Sequence, residues 1–504
     1  MSAPILNSNA NSALISTLSN STALVNPYLY NLEKLLPFGA NYWTTIDPVQ
    51  GSGTDTGFAH NSVIDFDLPK WGFLRTCILE FGIITNNTNE TDGGSPSGVL
   101  TLIDSVEILS ASRRIQYLSW ADILALYSDM PPKYRECVRK HLSQGSGTKD
   151  ITSAKNDARQ AHKYGIALPF SLFGSHKLNP NLLFQEPLRI RIHLSNGVMG
   201  YARRVANATS VENAVKNTGK MYKPQLQCEF FNPPKEMDEE VLDKNYGDGE
   251  LTLLTYDFHD ENEVKTTEIY GNTDSQVITM DVKDVGVISD MYVMCHIDPN
   301  DVIDGSETQP AQDANGVATD ASNATLLAIS KLIRTPESVG NFVKGGIKVD
   351  NITVLANGQE LFNMDGELLE CWSRKTDAKD GYAYGDNASN PNMIGEYVYK
   401  IPFSLSDDKR IMGGGMSLRE LHNVQVKITI PSSQFTGHTY TSGTRGTPLA
   451  VQSNYSSAVA FTAGAAGTLA KTPRFKISCR VMLKKYQVLT IESANGRVNT
   501  SVAN

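Results

Sequence analysis

The side chains that could do chemistry are present, but never in a pattern that chemistry needs. The nine histidines, from His60 to His438, never pair at i and i+4, so no helix face offers two imidazoles to one metal, and H-E-x-x-H is absent. The Gly-Ser-Gly-Thr stretches at Gly51 and Gly145 have neither a lysine at phosphate-loop spacing nor a strand-to-helix setting, and they read as turns. There is no G-x-S-x-G nucleophile elbow. Aspartates and glutamates are scattered, and no spacing selects one as acid and another as base. The six cysteines (Cys77, Cys137, Cys228, Cys295, Cys371 and Cys479) contain no C-x-x-C. Most lie in apolar strand patterns and read as buried free thiols of a reducing compartment. Asn86 and Asn454 open N-x-[ST] triplets but read as loop asparagines. The expectation is no catalytic residue, no metal site and no cofactor, which leaves a chain whose work is done by its surfaces.

What positions those surfaces is a repeat. Residues 63–83 align without a gap on 277–297, an offset of 214. Residues 104–115 match 350–361 at 246, 168–172 match 401–405 at 233, and 225–230 match 476–481 at 251. The four matches keep their order, and the changes in offset fall between them, as when a fold is duplicated and its loops diverge. In 188–194, Leu188, Ile190, Ile192 and Leu194 alternate with Arg189, Arg191 and His193. In 424–430, Val424, Val426, Ile428 and Ile430 alternate with polar residues. Period two means strands with one wet face, because a helix would bury Arg191 among the aliphatics. Residues 76–84 and 474–491 are β-branched and aromatic, again strand-like. A helical interlude follows the second match, with Ile123, Leu124 and Tyr127 at helical spacing before the Pro131-Pro132 break. The predicted fold is all-β: two tandem eight-stranded antiparallel jelly rolls in one chain, with short helices in the loops.

Composition sets the domain plan. A chain of 504 residues, 40% apolar and 20% charged, can bury two cores. The expected plan is an N-terminal arm at 1–50, a first jelly roll at 51–231, a Pro-Pro and acid-rich linker at 232–249, a second jelly roll at 250–491 and a C-terminal tail at 492–504. Within the arm, Tyr28, Tyr30, Leu35, Leu36 and Phe38 are the candidate assembly contacts. The insertion at 298–343 is a long surface excursion, of the kind that meets outside partners. No basic-then-apolar leader opens the chain, so export by a signal peptide is not expected, and no stretch is apolar and long enough to span a bilayer as a helix. The net charge is −9, and residues 1–50 hold Lys34 against Glu33 and Asp47, so there is no basic arm to neutralise phosphate.

The order of segments carries a resemblance. VIDFDLP leads to a long apolar strand, VEILSASRRI runs into a helix, ALPFSLF precedes LRIRIHL, and KKYQVLTIESANG comes near the end. This order resembles the double jelly-roll major capsid proteins of tailless icosahedral double-stranded DNA viruses: nucleocytoplasmic large DNA viruses, virophages, Polinton-like viruses, adenoviruses and membrane-containing phages. It covers nearly all of the chain after residue 50, and ALPFSLF and Tyr486-Gln487-Val488-Leu489 are its most telling pieces. The chain departs from the family in GSHKLNPNLLFQEP, at 174–187, and in the glycine run at Gly413. The resemblance implies a homotrimer forming a pseudo-hexameric capsomer in the virion shell, assembled inside the host cell. Its implied partners are neighbouring capsomers, penton and minor capsid proteins, and an internal membrane beneath some shells, without direct binding of nucleic acid by this chain. The alternatives are a minor capsid or host-attachment jelly-roll protein and, further off, a glycan-acting double jelly-roll hydrolase, for which no carboxylate pair stands out.

Overall fold

The computed structural model describes most of residues 40–84, 103–127, 164–194, 220–232, 250–297, 349–369, 398–430 and 474–502, with two short strand pairs between them. The first half of the chain contributes β1 (Ala40–Ile46), β2 (Val63–Asp67), β3 (Phe73–Ile84), β4 (Ile103–Ser110), β5 (Arg113–Ser119), β6 (Tyr164–Ala167), β7 (Leu188–Leu194) and β8 (Lys220–Asn232). They form two antiparallel sheets, in the orders β1-β8-β3-β6 and β2-β7-β4-β5. The second half contributes β9 (Glu250–Asp260), β10 (Gln276–Val282), β11 (Val287–Ile297), β12 (Asn351–Ala356), β13 (Gln359–Asp365), β14 (Val398–Pro402), β15 (Val424–Ile430) and β16 (Ile477–Glu492). Their orders are β9-β16-β11-β14 and β10-β15-β12-β13. Counted from the start of each repeat, both read 1-8-3-6 and 2-7-4-5. One wiring is used twice.

Register extends the identity to single residues. Ile192 lies opposite Ile64 and Val106, and Ile428 lies opposite Ile278 and Ile352. Those pairs reproduce the sequence offsets of 214 and 246. Each hairpin formed by the fourth and fifth strands carries an irregularity at the same place, between Ile108 and Leu109 and between Val354 and Leu355. Each then turns through a residue of positive φ, Ala111 at 52° and Asn357 at 52°. Gly72 and Gly286, also at offset 214, both have positive φ. A Cβ on Gly72 would come within 2.3 Å of the Phe231 carbonyl oxygen, so the strand can enter beside β8 only without one.

The fourth sequence match proves to be out of step. Cys77 faces Cys228, whereas Met291, its equivalent at offset 214, faces Leu483. The eighth strands therefore correspond from 228 to 483, an offset of 255 rather than 251. A slip of four is even, so every residue keeps its face of the sheet and the pattern of residue types still matches.

The alternation read from the sequence sets burial. Leu188, Ile190, Ile192 and Leu194 are buried with intermediate residues between them, and β15 repeats the pattern. On the outer side Arg191 pairs with Asp65 at 2.8 Å and Arg189 with Asp67 at 2.7 Å, cross-strand pairs that hold the edge strand β2 in register.

Two domain boundaries shift. The arm expected at 1–50 gives up β1, which pairs along its whole length with β8, from Ala40 opposite Asn232 to Ile46 opposite Leu226. The first sandwich thus begins by residue 40 and reaches 232, because seven residues of edge strand satisfy backbone groups of β8 that water would otherwise have to meet. The tail expected at 492–504 returns as β17 (Val498–Val502) alongside β16. The linker residues 233–249 and most of 298–343 lie outside the described residues.

Candidate functional site: the joint between the sandwiches

The interlude after β5 is α1 (Trp120–Tyr127). Ser119 caps it: its backbone N–H and hydroxyl both donate to Asp122 Oδ2 at 2.8 Å, while the Asp122 N–H donates to the Ser119 hydroxyl at 3.3 Å, a reciprocal capping box. Trp120, Ala121, Asp122, Ile123, Ala125 and Leu126 are all buried. A helix buried on every side has neighbours on every side. Its second neighbour is the other sandwich, whose Arg480 guanidinium lies 5.1 Å from the Trp120 ring centroid.

Strand alternation shows how the second sandwich presents itself to that helix. In β11 and β16, Met291, Val293, Cys295, Cys479, Val481 and Leu483 fill the second core. Their alternates Tyr292, Met294 and Met482 belong to the hydrophobic cluster of the first sandwich, together with Phe258, Leu489 and Ile491. One apolar cluster therefore runs from the first sandwich across the joint.

Polar groups fix its alignment. The Gln116 amide on β5 donates to Thr255 Oγ1 at 3.1 Å and to the Tyr256 carbonyl at 2.6 Å, both on β9, and also contacts the Ser171 hydroxyl. Ser171 donates to the same Tyr256 carbonyl at 2.6 Å and bonds to the Thr255 hydroxyl. The Gln487 amide reaches back to the Ile115 carbonyl at 3.3 Å, and Arg113 donates to Asn499 on β17 at 3.0 Å. The folded-back tail is thus part of the joint. Charge is buried close by: Asp290 holds Lys484 at 3.4 Å and Lys400 at 3.5 Å, and Lys485 holds Asp284 at 2.7 Å. Burial pushes the Asp257 carboxyl up, against the pull of Lys485 and, from the first sandwich, Arg114. Burial also pushes the Tyr486 phenol well up, and it stays a neutral donor to the Gly414 carbonyl at 2.7 Å. Such an arrangement aligns the two bodies with one another. Among the described residues no three His, Cys, Asp or Glu side chains gather as a metal site.

The first sandwich has the equivalent sheet face, with different residues on it. Ile78, Glu80, Gln225, Gln227 and Glu229 stand where the second has Tyr292, Met294, Arg480, Met482 and Lys484. Gln227 donates to Glu80 at 3.0 Å and receives the Thr45 hydroxyl at 2.9 Å, while Gln225 donates to Asp47 at 2.8 Å. On β1, Trp43 is 50% exposed.

No protein-family model matches the sequence, and no curated protein matches it significantly. Solved structures do. The chain matches a quasi-atomic model of the PBCV-1 virus capsid with a TM-score of 0.56 and 13% identity, covering 93% of this chain and 98% of that one. It matches PBCV-1 VP54, fitted into a reconstruction of the virophage Sputnik, with a TM-score of 0.56 and 14% identity over the same shares. This chain is a double jelly roll. The double jelly roll keeps three of the four sequence matches in register and the fourth with a shift of four residues, and the joint is where its two halves meet. Tyr28, Tyr30, Leu35, Leu36 and Phe38 lie outside the described residues, whereas Trp43, which the sequence reading passed over, is exposed on the edge strand.

Proposed function

We propose that the chain is a major capsid protein of an icosahedral double-stranded DNA virus, three copies of which form a pseudo-hexameric block of the virion shell. The observation that carries this reading is the doubled wiring locked by a buried joint, in a chain that matches a virus capsid structure over 93% of its length. Two like lobes held at a fixed angle give three chains six lobes around a threefold axis, enough to fill six-fold surroundings with three-fold symmetry. Within one chain Trp120 of α1 in the first lobe packs against Arg480 on a sheet face of the second. The matching face of the first lobe, with Trp43 at its edge, is the surface that a second copy would cover in a ring. The acidic balance supports a shell that surrounds nucleic acid without condensing it, which leaves penton, minor capsid and membrane contacts to other surfaces, the arm at 1–39 among them. No catalytic role is assigned.

Sedimentation and electron microscopy of the purified full chain test the proposal. The expected particle is a compact trimer of three times 55.1 kDa with a pseudo-hexagonal outline, able to build shells. A folded monomer that persists at micromolar concentration overturns it.

A further inference from the structure

Each sandwich sets two cysteines directly opposite one another on its third and eighth strands. Cys77 on β3 faces Cys228 on β8, and Cys295 on β11 faces Cys479 on β16. The sulfur atoms are 3.2 Å and 3.0 Å apart, none of the four cysteines is in a disulfide, and all are fully buried. Duplication does not explain the two pairs. Where the first sandwich has Cys77 and Cys228, the second has Met291 and Leu483, and where the second has Cys295 and Cys479, the first has Phe81 and Pro224. Both members of a pair change together, so each pair belongs to its own sandwich. Directly opposed residues of an antiparallel pair have Cα atoms about 4.5–5.5 Å apart, inside the span of about 4.4–6.8 Å that a disulfide bridges.

We propose that each pair is a cross-strand disulfide site, loaded by exchange with a small-molecule disulfide and able to staple the third strand of its sandwich to the eighth. In the exchange one cysteine thiolate attacks the small disulfide, forming a mixed disulfide and releasing one small thiolate. The second cysteine, as its thiolate, then attacks the mixed disulfide, closing the protein bridge and releasing the other small thiolate. Two protons leave the cysteine pair, and two electrons pass from it to the small disulfide, which ends as two thiols. Burial pushes the Cys77 thiol up, so thiolate is scarce while the sheet is closed and exchange runs during folding or opening. The bridges span 151 and 184 residues of chain and restrict the unfolded ensemble accordingly. This chemistry is the same whether or not the chain builds a shell.

The full chain, refolded from urea with glutathione disulfide, acid-quenched, alkylated under denaturing conditions and mapped by mass spectrometry, provides the test. The thiol count is expected to fall from the six of the sequence to two. The linked peptides should join Cys77 to Cys228 and Cys295 to Cys479. Dithiothreitol should restore all thiols and lower the unfolding midpoint by several degrees. Six free thiols, glutathione adducts alone, or bridges between other cysteines overturn the proposal. Cys77→Val and Cys479→Val, close in volume, should each abolish one bridge and leave the other intact, and loss of both bridges in either variant also overturns it.

Discussion

The outward faces of the two β1-type sheets share strand order and register and differ in what lies over them. In the second sandwich that face joins an apolar cluster with the first sandwich, and its positions hold Tyr292, Met294 and Met482. In the first sandwich the same positions hold Ile78, Glu80 and Gln227, and Gln227 donates to Glu80 and accepts from the Thr45 hydroxyl. After duplication, residue type has followed the neighbour and not the strand. A carboxylate such as Glu80 under a helix would lose its hydration with no cation to replace it, while a methionine on an open face would gain nothing from being apolar. The covered face is a core divided between two domains. The open one is a surface.

The two tryptophans give this contrast its largest test. Trp120 is 5% exposed and packs in the joint, whereas Trp43 is 50% exposed on the edge strand. Trp120→Ala should cost about 3–5 kcal/mol, a large aromatic removed from a packed site. Trp43→Ala should stay within about 0.5 kcal/mol, as exposed substitutions usually do. Urea unfolding with equal m-values would measure both. If a second copy docks on the open face, Trp43→Ala also lowers the yield of trimer at an unchanged unfolding midpoint. Equal destabilisation by the two changes would erase the distinction between the faces.

A reciprocal exchange sharpens it with a smaller effect. Met482→Gln places an amide in the joint and should cost about 1–3 kcal/mol, the penalty of burying a polar group without a fitted partner. Gln227→Met, its mirror on the open face, removes the bonds to Glu80 and Thr45 and should cost less than about 1 kcal/mol. Thermal unfolding of the two single variants and the double variant decides the matter. Additivity is expected, since the sites lie on different sandwiches.

These two faces also show why the sequence disclosed the fold more readily than the joint. Strands with one wet face announce themselves, and β7 and β15 were legible from alternation alone because their polar residues are as informative as their apolar ones. In β11 the run Met291 to Cys295 is apolar at every position, which says that both faces are covered without saying by what. The helix was legible as a helix from Ile123 onward, but its contact with Arg480 joins it to a strand hundreds of residues later in the chain. β1 was missed for the opposite reason. Its inward residues Tyr42, Thr44 and Ile46 are only half buried, and the larger apolar side chain, Trp43, points out, so the strand was counted with the arm. The register slip at the eighth strand escaped notice because a shift of four preserves faces, and only backbone pairing separates 251 from 255.

The smallest predicted effect compares the two repeats at one backbone angle. The hairpin β12–β13 closes on Asn357-Gly358, with φ of 52° and 76°, the pair that a two-residue turn of this twist favours. Its counterpart reaches the same 52° with Ala111, whose Cβ crowds the carbonyl in the left-handed region and lacks the local hydrogen bond by which asparagine tolerates it. Ala111→Gly should therefore stabilise the chain by up to about 1 kcal/mol, because relief of that strain exceeds the added freedom of glycine in the unfolded chain. Asn357→Ala should destabilise it by a similar amount. Chemical denaturation of each single variant measures the two changes. Opposite signs of like size would mean that the repeats share the turn as well as the wiring, and that the first repeat holds it with a residue poorly suited to the task. A loss of stability in Ala111→Gly would mean that the Ala111 methyl makes a contact worth more than the strain, and the turn would then join the list of positions where the two sandwiches have parted.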